Sequence, residues 1–364
     1  MNDSVNPQTA RSDLYSMLPR ELEEFFISLG EPKFRAKQVF PKLSRGIPIA
    51  EMTDLPARLR DKLKDITLDT LPRVEEKLVS KIDGTVKYLM RLHDGECIES
   101  VFMRYKHGNT LCISSQVGCR MGCRFCASTI GGKVRDLLPS ELLGQIITAE
   151  SDTGERVSNI VMMGIGEPLD NYDNVLRFLQ LVNMDGGLNI GYRHISLSTC
   201  GVVSGIRKLA EVELPITLSI SLHASTDEKR SEIMPINNKW KIAELLDACV
   251  YYYGKTGRRI SFEYTLISGK NDTEEDARSL ARLLTTAFKG TGAPIHVNLI
   301  RVNEVKETGF RSGTVDSATR FSELLCSLGV VATVRRRLGS DVNAACGQLR
   351  RQSKPVASST ESEE

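Results

Sequence analysis

Between Thr110 and Ile300 the chain alternates short β-branched runs with amphipathic helical stretches, and this alternation restricts its fold more than any other feature. The apolar runs are TLCIS, NIVMMG, HISLST, ITLSISLHA, RISFEYTLI and IHVNLI. Between them lie PSELLGQIITAES, NVLRFLQLV, GIRKLAE, IAELLDACVYYY and EEDARSLARLLTTAF, which carry helical periodicity. Six strands joined by helices specify an α/β fold with a parallel sheet, doubly wound or curled into a full or partial barrel. In either form the ligand site lies at the carboxyl ends of the strands. The residues with special chemistry fall there: Cys119 to Cys126, Gly164 to Glu167, Ser198 to Gly201, His223 and Asn303 each follow a strand.

The flanks differ in pattern. Residues 1–14 and 350–364 are polar and unpatterned, and disorder is expected in both. Residues 15–70 read as a small helical, basic domain built from ELEEFFISLG, FRAKQVFPKL and LPARLRDKLKDI, with Pro41 breaking the second pattern. Residues 71–109 change to strand period around a turn at Asp83-Gly84 and form a β connector to residues 110–349. No run of 18 apolar residues and no basic-then-apolar leader is present, so a cytoplasmic location is expected. The net charge of +2 gives bulk electrostatics little weight toward a nucleic-acid partner. That case rests on local patches: Lys33, Arg35, Lys37, Lys42 and Arg45, then Arg335 to Arg337, then Arg350 and Arg351.

In a reducing compartment, clustered thiols bind metal or do chemistry more often than they form disulfides. Three of the nine cysteines are clustered, as Cys119, Cys123 and Cys126 in SSQVGCRMGCRFCAS. A structural zinc site would need a fourth soft ligand, and His107 stands alone. Three thiolates on an iron–sulfur cubane leave one iron open to a small molecule. A zinc-containing RNA-binding module is the rival of another class.

The C-x3-C-x2-C spacing resembles that of the radical S-adenosylmethionine superfamily, and GIGEP at 164 to 168 resembles its glycine-rich element. The resemblance narrows to the RlmN/Cfr family of RNA adenine methyltransferases through TLCISSQVGC, GIGEPLDN, LSTCG, SLHA, MPIN, HVNLIRVN and NAACGQL. It spans about Pro32 to Leu349 and implies a partial (β/α)6 radical-SAM barrel behind a small helical domain. It also implies a [4Fe-4S] cluster on Cys119, Cys123 and Cys126, with S-adenosyl-L-methionine held by Gly166, Glu167, Ser198, Ser221, Leu222, His223 and Asn303.

The chemistry that the resemblance implies needs two more thiols, because C2 and C8 of adenine are too electron-poor to attack a sulfonium methyl. One S-adenosylmethionine methylates Cys346, and a radical from a second activates that methyl for addition to the base. Glu99 takes the proton from the substituted carbon, with Glu96 as its competitor, and Cys112 attacks the crosslinked sulfur to form a transient disulfide. Cys97, Cys200, Cys249 and Cys326 match no role and read as ordinary buried thiols. The implied partners are 23S rRNA, tRNA and an electron donor such as a flavodoxin or ferredoxin, and the implied state is a monomer. Val117 and Pro168-Leu169 look more like the members of the family that make the C2 product than those that make the C8 product, and the target base is expected to turn outward from flexible RNA.

Anaerobically purified protein is expected to be brown, with about four irons per chain as this cluster type requires. A colourless protein holding one zinc would fit the rival reading instead.

Overall fold

The structure, a computed structural model, describes residues 11–302, 309–342 and 349. Three helices come first: α1 (Pro19–Ser28), α2 (Arg35–Leu43) and α3 (Ala57–Ile66). α1 starts where Pro19 pre-sets the backbone and Glu21 accepts the Leu18 amide at 2.8 Å. α2 runs through Pro41, which has no amide to give the Lys37 carbonyl in the first turn, and ends two residues later. The polar pattern predicts disorder up to residue 14, but residues 11–14 are ordered. Leu14 is buried, Asp13 accepts from Tyr15 N and Ser16 Oγ, and Ser12 bridges Thr67. Apolar burial and capping outweigh the polar local composition there. Residues 1–10 and 350–364 lie outside the described set.

A meander follows: β1 (Arg73–Val79), β2 (Val86–Arg91) and β3 (Cys97–Met103), then β4 (Thr110–Cys112). The hairpin β5 (Gln116–Gly118) and β6 (Lys133–Asp136) stands apart and holds the three clustered cysteines between its strands. The remaining order is α4 (Pro139–Thr153), β7 (Asn159–Met162), α5 (Tyr172–Asn183), β8 (Ile195–Thr199), α6 (Val203–Val212), β9 (Thr217–Ser221) and α7 (Asp227–Ile233). It continues with α8 (Ile242–Thr256), β10 (Ile260–Leu266), α9 (Glu274–Ala287), β11 (Ile295–Arg301), α10 (Val315–Ser327) and β12 (Val331–Val334).

Ten strands form one sheet in the order β1-β2-β3-β4-β7-β8-β9-β10-β11-β12. Pairing is antiparallel up to β4 and parallel from β4 onward. Each new parallel strand adds on the same side, so the order never reverses as a doubly wound sheet requires. Crossovers of one hand then lay the helices on one face and leave the other for a cavity. β1 and β12 are the edges and do not pair, so the barrel is open. All six expected strands are present. The additional parallel strand, β12, has only four residues and follows a helix that the periodicity did not single out.

Alternation along the meander separates two environments. Tyr88, Met90, Ile98, Phe102 and Leu111 join the main core. On the other face Val101 and Met103 cluster with Cys112, packed by Val161, Met163 and Leu338. α4 is pinned to β4 by Gln145, which accepts from Ser114 N and Ser100 Oγ at 2.8 Å each and donates to Ser114 O at 3.0 Å. No helix among the described residues is long and apolar enough to cross a membrane.

Gly144 sits in α4, where alanine ordinarily gains about 1 kcal/mol. A Cβ there would lie 2.3 Å from Pro72 Cδ. Gly144→Ala is therefore expected to destabilise by about 1–3 kcal/mol, as overpacking does, read as a lower urea midpoint.

Candidate active site

The loop of residues 119–132 is closed on itself. Cys119 N donates to Gly132 O at 3.0 Å, Cys126 N to Cys123 O at 3.0 Å, and Thr129 Oγ1 to the carbonyls of Cys123 and Cys126. Arg124 N ties it to the end of α7 at Ile233 O, 2.9 Å. Asp170 holds both ends, through ion pairs to Arg120 and to Lys133 (3.0 Å) and a bond from Gln116 Nε2 at 2.9 Å. Cys119 and Cys123 are buried and Cys126 is half-buried. Burial, reinforced by the negative charge of Cys126, Glu167 and Asp170, pushes the Cys119 thiol up to about 12, and burial pushes Cys123 well above the usual thiol value. A polycationic group among them would favour the thiolates instead. Among the described residues no three His, Cys, Asp or Glu side chains converge as a mononuclear ion requires. A cubane instead takes one thiolate on each of three irons, and the three free thiols that line one cavity supply that donor set.

Next to this loop, the turn after β7 packs onto the stem leaving β4 with almost no space between backbones. Gly164 N donates to Ile113 O (3.0 Å), Ser115 N to Ile165 O (2.8 Å) and Glu167 N to Gln116 Oε1 (2.9 Å). A Cβ on Gly164 would stand 2.6 Å from Ile113 O, and one on Gly166, at φ +110, 2.7 Å from Gln116 N. The two glycines are thus required by backbone approach. Glu167 is buried and spans to the turn after β8: Oε2 accepts from Cys200 N at 2.7 Å and Oε1 from Leu169 N at 3.0 Å. Burial raises its pKa against these donors.

After β9, His223 is buried with φ +57, a left-handed conformation costly for a side chain of this size. Its Nδ1 accepts from Thr265 N at 2.9 Å, which puts the ring proton on Nε2, and Phe125 of the cysteine loop meets the ring edge-on at 5.0 Å. Burial and the Arg230 charge push it down to about 3, so the imidazole is neutral at working pH. Arg230, fully buried on α7, donates to Leu222 O (3.0 Å), Cys200 O (2.6 Å), Ser221 O (3.2 Å) and Asn237 Oδ1 (3.1 Å), joining the turns after β8 and β9.

These elements enclose one cavity of about 380 Å³, lined by Cys112, Cys119, Cys123, Cys126, Gly166, Glu167, Ser198, Ser221 and His223. Leu222 is buried away from it, bonded through its backbone to Glu263 O and Arg230. Glu99 does not line it either. It is fully buried on β3, 3.1 Å from the equally buried Lys87, on the same face as Val101, the strand partner of Cys112. Glu96 is half-buried in the β2–β3 turn. Asn303 and Cys346 lie outside the described residues. Of the four thiols read as ordinary and buried, Cys326 is exposed and Cys200 lines the cavity.

Sequence reasoning passed over Lys87, Arg230 and Glu263. Glu263 lines the cavity from β10, accepting from Asn298 Nδ2 at 2.7 Å and Ser261 Oγ at 3.2 Å. A charged residue inside an apolar strand run, as in VKYLM and RISFEYTLI, was the available signal. Arg335, Arg336 and Arg337, seen first as a basic run, border the same cavity.

The Radical SAM superfamily model matches residues 113–284, and the Ribosomal RNA large subunit methyltransferase N-terminal domain model matches residues 12–68. A radical SAM methyltransferase from Sphaerobacter thermophilus superposes with a TM-score of 0.87 at 39% identity, covering 92% of this chain and 98% of that one. Three loop-borne cysteines at the carboxyl end of an open parallel sheet, with this match, define a radical SAM enzyme, a class that uses a [4Fe-4S] cluster and S-adenosylmethionine. The probable dual-specificity RNA methyltransferases RlmN of Clostridium perfringens (strain 13) and Alkaliphilus oremlandii are 55% and 52% identical, over 91% and 93% of this chain and 94% and 97% of their own. The chain belongs to the RlmN family of radical SAM RNA methyltransferases.

A histidine held neutral by burial lowers stability in acid: the unfolded chain takes up a proton near pH 6.5 and the folded one only near 3. Below about pH 6.5 this site is expected to remove roughly 1 kcal/mol of stability per pH unit. Urea melts of the apoprotein between pH 7 and 5 should show the loss, and His223→Gln should flatten it.

Proposed function

We propose that the chain converts adenine to 2-methyladenine in RNA, at adenine 2503 of 23S rRNA and adenine 37 of tRNA, through an S-methylated Cys346. The observation that carries this reading is that Cys112 and the three clustered cysteines border one cavity. Cleavage of S-adenosylmethionine by itself has no need of an extra thiol, whereas resolution of a protein–RNA crosslink does. The printed name of the relatives, dual-specificity RNA methyltransferase, supports two RNA substrates.

Once bound on Cys119, Cys123 and Cys126, the cluster and its S-adenosylmethionine supply a radical able to take hydrogen from an S-methyl group. The chain's own residues do the rest. Ser198, Ser221 and the His223 Nε2 proton offer hydrogen bonds to the cofactor, with Gly166 and Glu167 shaping its wall and Asn303 contributing from the stretch after β11. Cys346 carries the methyl that joins it to the base. Glu99, its charge balanced by Lys87, takes the proton from the substituted carbon, and the unpaired electron left by radical addition would return to the bound cluster. Cys112 then attacks the Cys346 sulfur: an S–S bond forms, the C–S bond breaks, and its electron pair returns to the base-bound carbon, which takes up a proton. The chain acts as a monomer in the cytoplasm, with electrons from a flavodoxin or ferredoxin.

Cys346→Ala is expected to abolish RNA methylation, and Cys112→Ala to leave a covalent protein–RNA adduct visible on a denaturing gel. Mass spectrometry of the RNA product distinguishes C2 from C8 methylation; an 8-methyl product would assign the chain to the Cfr type instead.

A further inference from the structure

The open sheet has two free edges, β1 and β12, and residues that follow each edge meet. The segment leaving β12 does not turn to solvent. Arg335 N bonds to Leu299 O at 2.8 Å, Arg335 Nη1 lies 3.7 Å from Met163 Sδ, and Leu338 packs on the cluster of Val101, Met103 and Cys112. The segment then reaches the β1–β2 turn, where two bonds run in opposite senses. Gly339 N donates to Asp83 Oδ2 at 2.9 Å, and Lys81 N donates to Asp341 Oδ2 at 2.8 Å. The partners are 256 and 260 positions apart in sequence.

We infer that Asp83 and Asp341 are positioning residues, a reciprocal latch that joins the two edges of the open barrel and seats the segment leaving β12 across the cavity. The residues beside the latch, Thr85, Leu338, Gly339 and Ser340, are themselves cavity wall. Asp83 is preorganised to accept the Gly339 amide, because its Oδ1 accepts from Thr85 N at 3.0 Å and Arg104 holds the Gly84 carbonyl in the same turn. Burial works to raise its pKa, but the Gly339 and Thr85 amides outweigh it and bring it down to about 2. Burial acts less on Asp341, where Ser80 and the Lys81 amide lower the value.

Cys346 lies five positions after Asp341, and Leu349, three further on, is buried against Leu89 and Cys97 of the meander. Both flanks of the stretch that carries the methyl-bearing thiol therefore rest on the element that carries Glu99. The role given to the latch depends on the proposed function. It concerns the coupling of Cys346 to Cys112 and Glu99, and it leaves the cluster loop, which hangs from β4, β7 and α7, untouched.

The test uses the full-length, cluster-loaded enzyme with Asp83→Ala, Asp341→Ala and the milder Asp83→Asn, which keeps one carbonyl acceptor. Hydrogen exchange read by mass spectrometry should speed up in the peptide covering Gly339 in Asp83→Ala, and in the peptide covering Lys81 in Asp341→Ala. Iron content and RNA-independent release of 5′-deoxyadenosine should stay within about twofold of wild type, while methyladenine formation falls roughly tenfold or more, with Asp83→Asn between the two. Unchanged exchange in both alanine variants would overturn the latch. So would faster exchange with undiminished methylation, or a parallel loss of iron and 5′-deoxyadenosine in all three variants. Failure of the wild type to make methyladenine sinks the functional reading instead, and the exchange result still decides whether the latch exists.

Discussion

The site depends on backbone-to-backbone contact between the stem leaving β4 and the turn leaving β7. Ile113 to Gln116 and Gly164 to Glu167 exchange amide and carbonyl bonds at a separation that excludes any side chain at Gly164 or Gly166. A unit this tight cannot adjust by rotamer changes, so whatever is attached to it is held in place. On one side hangs the cysteine loop, pinned by Asp170. On the other side Glu167 reaches the turn after β8, which Arg230 links to the turn after β9. Four consecutive strand ends are thereby tied through charged groups that are themselves buried and satisfied, and breaking one partner of such a network costs more than the bond itself.

The interior of the sheet inverts the usual rule of apolar-in and polar-out. Ser198 and Ser219 face each other across β8 and β9, and Ser221, Glu263 and Asn298 stand in register across β9, β10 and β11. Read locally, SLS and SIS are half-exposed strands with one wet face. In the fold the wet face is the inside, because β4 and β7 to β11 line a cavity at the site where this class binds its charged cofactor, while Leu197, Leu218, Ile220 and Phe262 point outward under the helices. The same logic explains Lys87 and Glu99, an ion pair removed from water on the cavity side of a meander whose other face is packed core.

Much of the architecture was legible from periodicity. The helices of the first domain, the turn at Asp83-Gly84 and six of the seven parallel strands are all set by local apolar pattern, capping and turn residues. The misses share a cause. Residues 11–14 looked unstructured because their stabilisation comes from Thr67 and Thr70, far along the chain. β12 is short and gains its order from pairing with β11. Leu222 does not line the cavity with its neighbours Ser221 and His223, and its backbone carbonyl instead accepts from Arg230.

What the amino-acid order settled by itself was a thiol-rich loop and the class of fold: three cysteines at fixed spacing, glycines where backbones must touch, and strand–helix repetition that demands a parallel sheet. These are short-range properties, governed by a few dihedrals and by the chemistry of single side chains. Which thiol shares a cavity with the cluster, which carboxylate is paired with a buried lysine, and how two unpaired sheet edges are held together were decided only by tertiary structure. Those relations connect residues tens to hundreds of positions apart, and their energies exist only after the chain has paid the entropy of bringing them together.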